Sequence, residues 1–434
     1  MKTKSVQLFQ ASCCLTCAML VIACGGGSSS PPGSSQQPIT VNGKVVDVFN
    51  RPMLGVQVKV SGNQQLLMTN GTGAFTFAGV STPYDLTLIG QGVVWEFRGL
   101  STQEPTVPFA FLASSIKRSS LSGRVTGDNF PEQSFFGTRV AFSSPEAIAS
   151  DAEVTPSGMY GVSQAFNVIW SQPDSTTGTV HALEWRKGAG SLPTEYYYGR
   201  QDSVTLRPAG SAAVPSIAVR RVPTSNDLIG TINPAPGYTI FRKYLFLQFD
   251  RNSSMQVVSE ESSSATFSYK VPALTDLTCA IGVAARNGNT VAVSLKTRLQ
   301  AGQGSSVRVD IPTGPVLSSP SHGATGVGAA TPFTWSDPGG LYEVDLDPED
   351  GRNPQMVIYT TDAGGKIPDL TALRMNMPRS ARYAWRVRTL PALANADALA
   401  GSQGVGYFAQ LVSNKLSSDF SETLTDWRVF TTSP

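Results

Sequence analysis

The chain carries two histidines and five cysteines in 434 residues, and only 15% of it is charged. Each scarcity excludes a class of chemistry. His181 lies in the alternating run Thr179-Val180-His181-Ala182-Leu183 and His322 in a Pro/Gly-rich turn, so the pair reads as surface or turn histidines. A histidine-based zinc site, or an acid–base pair shared between them, is not expected from such separate contexts. No Gly-x-Ser-x-Gly elbow, P-loop or His-Glu-x-x-His helix occurs, and a serine nucleophile would lack its base. No cofactor is implied. Helical periodicity is equally scarce: short alternating runs punctuated by 41 glycines and 29 prolines dominate, the signature of an all-β chain.

The cysteines are unevenly placed. Cys13, Cys14, Cys17 and Cys24 crowd the first 24 residues, and Cys279 stands alone in the apolar run Leu277-Thr278-Cys279-Ala280-Ile281. Met1-Lys2-Thr3-Lys4 gives a basic start, the stretch 13–23 is apolar, and small residues end it, as in a secretory signal peptide. Gln7, Gln10 and Ser12 leave that core too short for a membrane-spanning helix. Val21-Ile22-Ala23-Cys24 resembles the lipobox of bacterial lipoproteins. The resemblance implies cleavage before Cys24, acylation of its sulfur and new amino terminus, and membrane attachment through the acyl chains. Gly25 rather than Asp after the cysteine implies, by the same resemblance, the outer membrane. Two or more acyl chains make a lasting anchor where one does not.

Once the first 23 residues are removed, no internal disulfide is possible, because Cys279 would be the only thiol beside the acylated Cys24. Its apolar context makes Cys279 a buried structural thiol rather than a nucleophile. Loss of Lys2 and Lys4 also leaves the mature chain with 31 basic and 31 acidic residues, so no basic footprint points to nucleic acid.

The remaining chain divides by composition and pattern. Residues 24–38 are a Gly/Ser/Pro tether with almost nothing to bury. Residues 39–115 read as one small β-sandwich, in which Val56, Val58 and Val60, then Phe75 and Phe77, then Tyr84, Leu86 and Leu88 alternate as strands do. Together with Gly43, Val45, Asp47, Pro52, Gly55, Thr69 and Gly73, these residues resemble the carboxypeptidase regulatory-like domain, a transthyretin-like sandwich. The chain departs from that pattern at Arg51 and Thr82. The resemblance implies a structural unit and brings no catalytic residue. Leu121-Ser122-Gly123-Arg124-Val125 and Leu228-Ile229-Gly230-Thr231-Ile232 echo Val41-Asn42-Gly43-Lys44-Val45 at a spacing of roughly a hundred residues. Residues 119–222 and 225–313 are therefore expected to be degenerate sandwiches of the same kind, with hinges at 224–227 and 312–315. Residues 315–434 resemble a fibronectin type III or related immunoglobulin-like sandwich, with Trp335 in an early core strand and Tyr383 heading a late one. An Ala-rich insertion, 391–406, is expected to be a loop with a short helix.

Three stretches are candidates for chemistry. In Glu195-Tyr196-Tyr197-Tyr198-Gly199-Arg200, Tyr196 and Tyr198 share one strand face and could stack on a sugar or apolar ligand; packing against a core is the competing reading. Glu260-Glu261 and the Glu343/Asp345 pair are the main acid clusters, read as solvated faces. Residues 345–351 are similar to a calcium-binding EF-hand loop, but Gly351 is one position late and the twelfth position is Met356, so a hairpin between strands is expected and no metal is assigned. The expectation is a lipid-anchored, non-enzymatic binding, adhesion or envelope-structural module with a protein or glycan partner. The alternative is a carbohydrate-active enzyme or glycan-binding accessory using carboxylates and exposed aromatics.

Overall fold

Three glycines from the echoed motifs explain how three successive segments begin. Gly43 lies opposite Phe75, Gly123 opposite Tyr160 and Gly230 opposite Phe267 on the antiparallel neighbour. In each case a β-carbon on the glycine would fall inside the facing aromatic ring, at 2.1, 2.5 and 2.3 Å from its nearest carbon or oxygen. The absent side chain is what lets the ring lie flat across the strand. The motif is a strand-pairing device used three times.

The computed structural model describes residues 37–434 apart from 48, 91, 110–115, 128–135, 150, 163–164, 172, 189–190, 251–252, 303–305, 352–353, 369, 374, 376, 412–415 and 417–418. Cys24, the signal segment and nearly all of the tether lie outside the described residues. The described chain is all-β, as its sequence pattern predicts, with strands in several sheets and two short helices.

The first three segments share one strand order. In the first, the opening strand Ile39–Val46 pairs antiparallel with the fourth, Ala74–Val80, and parallel with the seventh, Thr106–Pro108. The third, second, fifth and sixth strands (Leu66–Met68, Gln57–Val60, Tyr84–Gly90, Val93–Leu100) form the facing sheet in that order. In the third segment, Ser225–Pro234 pairs antiparallel with Thr266–Pro272 and parallel with Val307–Ile311. Opposite it stand Ser253–Glu260, Thr239–Phe249, Thr278–Asn287 and Thr290–Leu299, again in the order third, second, fifth, sixth. The middle segment repeats the scheme with broken strands: Lys117–Thr126 is flanked by Met159–Tyr160 and Phe166–Trp170 on one side and by Gly210–Ala213 and Ile217–Ala218 on the other. Its facing sheet runs Ala152–Glu153, Phe136–Ser143, Thr176–Lys187, Pro193–Leu206. Alternation does the work throughout: Val58, Val60, Phe77, Leu86 and Leu88 are all fully buried.

The last segment packs a small sheet, Leu317–Ser319, Pro332–Trp335 and Gly364–Lys366, on a larger one containing Leu341–Pro348, Gln355–Thr360 and Arg382–Leu390. Trp335 and Tyr383 are both core residues, and the Tyr383 hydroxyl donates to the Pro354 carbonyl at 3.1 Å. Residues 345–351 close the hairpin between the first two strands of the larger sheet, where Leu346 faces Met356.

These units are joined edge to edge. Val93–Leu100 of the first segment pairs parallel with Gln355–Thr360, and Thr290–Leu299 of the third pairs antiparallel with Phe420–Leu424. The result is one fourteen-stranded sheet in which the last segment lies between the first and the third. The Ala-rich insertion is more than a loop. Its helices Ala396–Leu399 and Ser402–Leu411 bring Leu399, Tyr407 and Phe408 into a core with Trp95, Phe97 and Tyr359. Phe408 lies 5.3 Å from Trp95 between ring centres, and Asp397 accepts from the Ser101 and Thr102 amides at 2.9 and 3.1 Å. The middle segment packs its facing sheet against that of the third, with Leu183, Trp185 and Tyr196 in a core with Leu245, Phe249 and Val283. The hinge expected at 224–227 is instead largely strand: Ser225, Asn226 and Asp227 pair with Pro272, Val271 and Lys270. Their polarity reflects an exposed strand face, not a free linker.

Candidate binding groove

A concave feature follows from the packing of the middle segment on the third. Trp185 lies opposite Gly137, and a β-carbon there would come within 2.4 Å of the indole, so only glycine allows the ring to cross the neighbouring strand. That ring floors an open groove of about 400 Å³. One wall is Arg139, Glu153 and Val154; the other is 256–259 of the edge strand Ser253–Glu260. Arg139 is held by Asp151 at 2.7 Å and Glu153 at 3.0 Å. Asp151 also accepts from the Gln256 amide at 3.3 Å, tying the third segment's edge to the middle segment. Lys187 at the rim is exposed, and no carboxylate among the described residues is within ion-pairing distance. The groove thus offers an aromatic floor, a fixed Arg–carboxylate pair and one unpaired cation. Such a set of groups can contact a ligand through ring stacking and charge.

Of the sequence candidates, Tyr196 and Tyr198 are brought to the same interface but not to the groove. Tyr196 is 2% exposed and donates to the Lys270 carbonyl at 2.8 Å. Tyr198 is half-buried and stacks on Phe249 at 5.7 Å between centres. The packing reading describes both rings, and Tyr197 indeed faces the opposite core. Burial pushes the Tyr198 hydroxyl up to about 12.

His181 corrects the expectation of a surface histidine. It is 1% exposed, with Nδ1 2.8 Å from the Tyr198 hydroxyl and Nε2 3.0 Å from Asp250 Oδ2, and its ring stacks on Phe249. A polar residue on an alternating strand is buried here because a second sheet covers the face that alternation assigns to water. His322 does lie in an exposed turn. Asp250, hydrogen-bonded by His181, is held below the usual carboxylate range.

Glu343 and Asp345 are a second correction: both are buried rather than solvated. Arg388 lies 3.2 Å from Glu343 and 3.6 Å from Glu422, and Arg386 bonds Asp345 at 2.7 Å. Sequence reasoning missed Arg386, Arg388 and Glu422, although Arg386 and Arg388 recur two apart on one strand, as Glu343 and Asp345 do. Glu260 accepts from Tyr269 at 2.7 Å beside the buried Lys243, whose ammonium donates to Ser262 and to the Thr266 carbonyl. Asp310 and Asp419 share a shallow pocket, but Asp310 is bonded by Asn233 and Arg308 and Asp419 by Lys296. Each of these carboxylates is engaged by a cation, an amide or a hydroxyl. Cys279 is 1% exposed and burial pushes its thiol up to about 12, the state of a structural rather than a reactive cysteine.

No protein-family model matches the sequence, and no curated protein matches it. Among solved structures, the chain is similar to the Bacillus anthracis TIE protein, with 9% identity, a TM-score of 0.17, and 63% of this chain and 50% of that one covered. It is likewise similar to a Streptococcal ancillary pilin, at 8% identity and a TM-score of 0.16 over 63% of this chain and 100% of that one. BcpA, the major pilin subunit of Bacillus cereus, has 9% identity and a TM-score of 0.16 over 63% and 99%. The chain spans about half the length of the TIE protein.

Proposed function

We propose that this chain is a lipid-anchored, extracytoplasmic binding module of the bacterial envelope, held at the outer membrane through Cys24 and without catalytic activity of its own. The observation that carries the reading is the groove over Trp185, which exists only because two sandwich units are packed face to face and laced by Asp151 and Gln256. Face-to-face packing of the two units holds such a groove in one geometry, and preorganisation lowers the entropic cost of binding. The anchoring part of the reading is supported by the basic start, the apolar core, the lipobox-like Val21–Cys24 stretch and the tether. Its partner is a protein or glycan of the envelope.

Two experiments test it. Metabolic labelling with a palmitate analogue should mark the wild type and not Cys24→Ala; an unlabelled wild type refutes the anchor. Pull-down from intact envelopes with the mature chain should capture a partner that Lys187→Glu combined with Ser259→Arg, which reverse the rim charge and fill the groove, no longer captures. Capture that is identical with both chains refutes the groove as the site.

A further inference from the structure

The two ends of the fourteen-stranded sheet differ. At one end, Ser253–Glu260 is covered by the middle segment. At the other end lies Leu66–Met68, whose outer edge has no partner strand among the described residues. Leu66 and Met68 point to one face and are 44% and 63% exposed, while Leu67 between them packs toward the core. Leu54, 72% exposed, belongs to the turn laid against this strand, where the Gly55 amide bonds the Thr69 carbonyl and Met68 Cε approaches position 55. Half of the six large apolar side chains exposed among the described residues therefore meet at this one corner. Lys59 faces Leu66 across the strand pair, and no carboxylate among the described residues is within ion-pairing distance of it. Apolar side chains beside an uncompensated cation match an anionic lipid surface, where the side chains enter the acyl boundary and the ammonium stays among headgroups.

We infer that the corner formed by Leu54, Leu66, Met68 and Lys59 rests on the bilayer to which the chain is anchored. This inference rests on the anchored reading, and the tether is what favours a membrane over any other occupant. Fourteen residues lie between Cys24 and Ile39, the start of the same unit. Fully extended they reach about 50 Å. The corner is thus confined to a shell against the membrane, where a contact too weak to hold a free protein is made nearly continuously by effective concentration. Docking fixes which way the sheet leaves the membrane, and so where the groove is presented.

The test supplies the tether chemically, so that it does not depend on natural acylation. The unacylated mature chain is coupled through Cys24 to a maleimide-headed lipid in phosphatidylethanolamine–phosphatidylglycerol vesicles; the buried Cys279 leaves Cys24 as the reactive thiol. Hydrogen exchange at 54–55 and 66–68 is expected to slow at least threefold on the vesicles relative to the uncoupled chain. Leu54→Ser/Leu66→Ser/Met68→Ser should lose that protection, and since all three side chains are exposed it should keep the parent's thermal unfolding. Unchanged exchange at the corner in the coupled chain overturns the inference. Equal protection in the concentrated, lipid-free chain, lost on dilution, also overturns it and assigns the corner to a second copy. A chain that docks when coupled but takes up no palmitate label in the cell retains the docking surface and loses the anchored reading.

Discussion

Replacing Glu343 by Gln is expected to remove a pH dependence that the wild-type fold carries between about pH 5 and 8. Glu343 is buried among Tyr359, Arg388, Asp345, Arg386 and Tyr407, with Glu422 on the far side of Arg388. Three carboxylates face two guanidiniums, leaving one negative charge uncompensated. Burial first, then Asp345, raises the Glu343 carboxyl to about 7, against the opposing pull of Arg388. An acid whose folded pKa exceeds its unfolded value of about 4.3 binds its proton more tightly when folded. Stability is therefore full below about pH 4.3 and falls as pH rises toward 7. A carboxyl held at about 7 rather than about 4.3 favours the protonated folded state by about 3–4 kcal/mol, of which about two orders of magnitude in a local opening equilibrium fall between pH 5 and pH 8. Native-state hydrogen exchange of Leu341–Pro348 at pH 5 and pH 8, corrected for intrinsic rates, reads this directly. Wild-type protection should drop by about a hundredfold while the Gln variant stays level within about threefold. At pH 8 the variant should be the more protected of the two, because the amide still accepts from Arg388 and leaves Glu422 as that cation's single partner. If the variant keeps the wild-type slope, Glu343 is not the titrating group and the charge count is wrong.

Three further outcomes follow from particular contacts. Alanine at Gly230 should destabilise its segment more than alanine at Gly43 or Gly123, by more than about 2 kcal/mol in urea unfolding, because its β-carbon meets the Val307 carbonyl as well as a ring, and backbone yields less than an aromatic edge. Phe408→Ala should cost about 3–5 kcal/mol and raise hydrogen exchange in Val93–Leu100 and Gln355–Thr360 together, since that ring fills the core under both strands; a rise in one alone would contradict the shared seam. The folded, unacylated mature chain should titrate a single thiol with a maleimide and a second only in denaturant, Cys279 being buried with its thiol pushed up to about 12.

Much of the fold is legible in the sequence because its devices are local. A glycine in a short β-branched run, followed some thirty residues later by an aromatic, marks the opening strand of each of the first three segments. The valine and phenylalanine alternations mark the strands that face it. Turn residues and prolines separate these strands at short range. None of that information names a partner outside the unit. The pairings of Val93–Leu100 with Gln355–Thr360 and of Thr290–Leu299 with Phe420–Leu424 join stretches separated by more than a hundred residues in chain order, and each strand reads the same whether its edge is free or paired. The stretch 391–406 and the helix that continues it read as surplus for the same reason, since Leu399 and Phe408 share a core with Trp95 and Phe97 of the first segment, which their own segment's pattern does not indicate.

The misread residues share one cause. Alternation identifies one covered face of a strand and assigns the other to water, which holds for a sandwich standing alone. Here the facing sheet of the middle segment is covered again by the third, and the sheet of the last segment is covered again by the helix Ser402–Leu411. His181, Lys243 (which the sequence reading did not single out), Glu343 and Asp345 all sit on strand faces that alternation gives to solvent and that a second layer buries. A polar group buried this way stays in place only with a partner, and each has one: Tyr198 and Asp250, Ser262 and Thr266, Arg388, Arg386. Paired recurrence across strands, such as two arginines at 386 and 388 against two acids at 343 and 345, is thus the sequence trace of a doubly covered sheet. It also locates where the assembly is sensitive to protons, because the one carboxylate in excess must be buried at the seam that holds the units together.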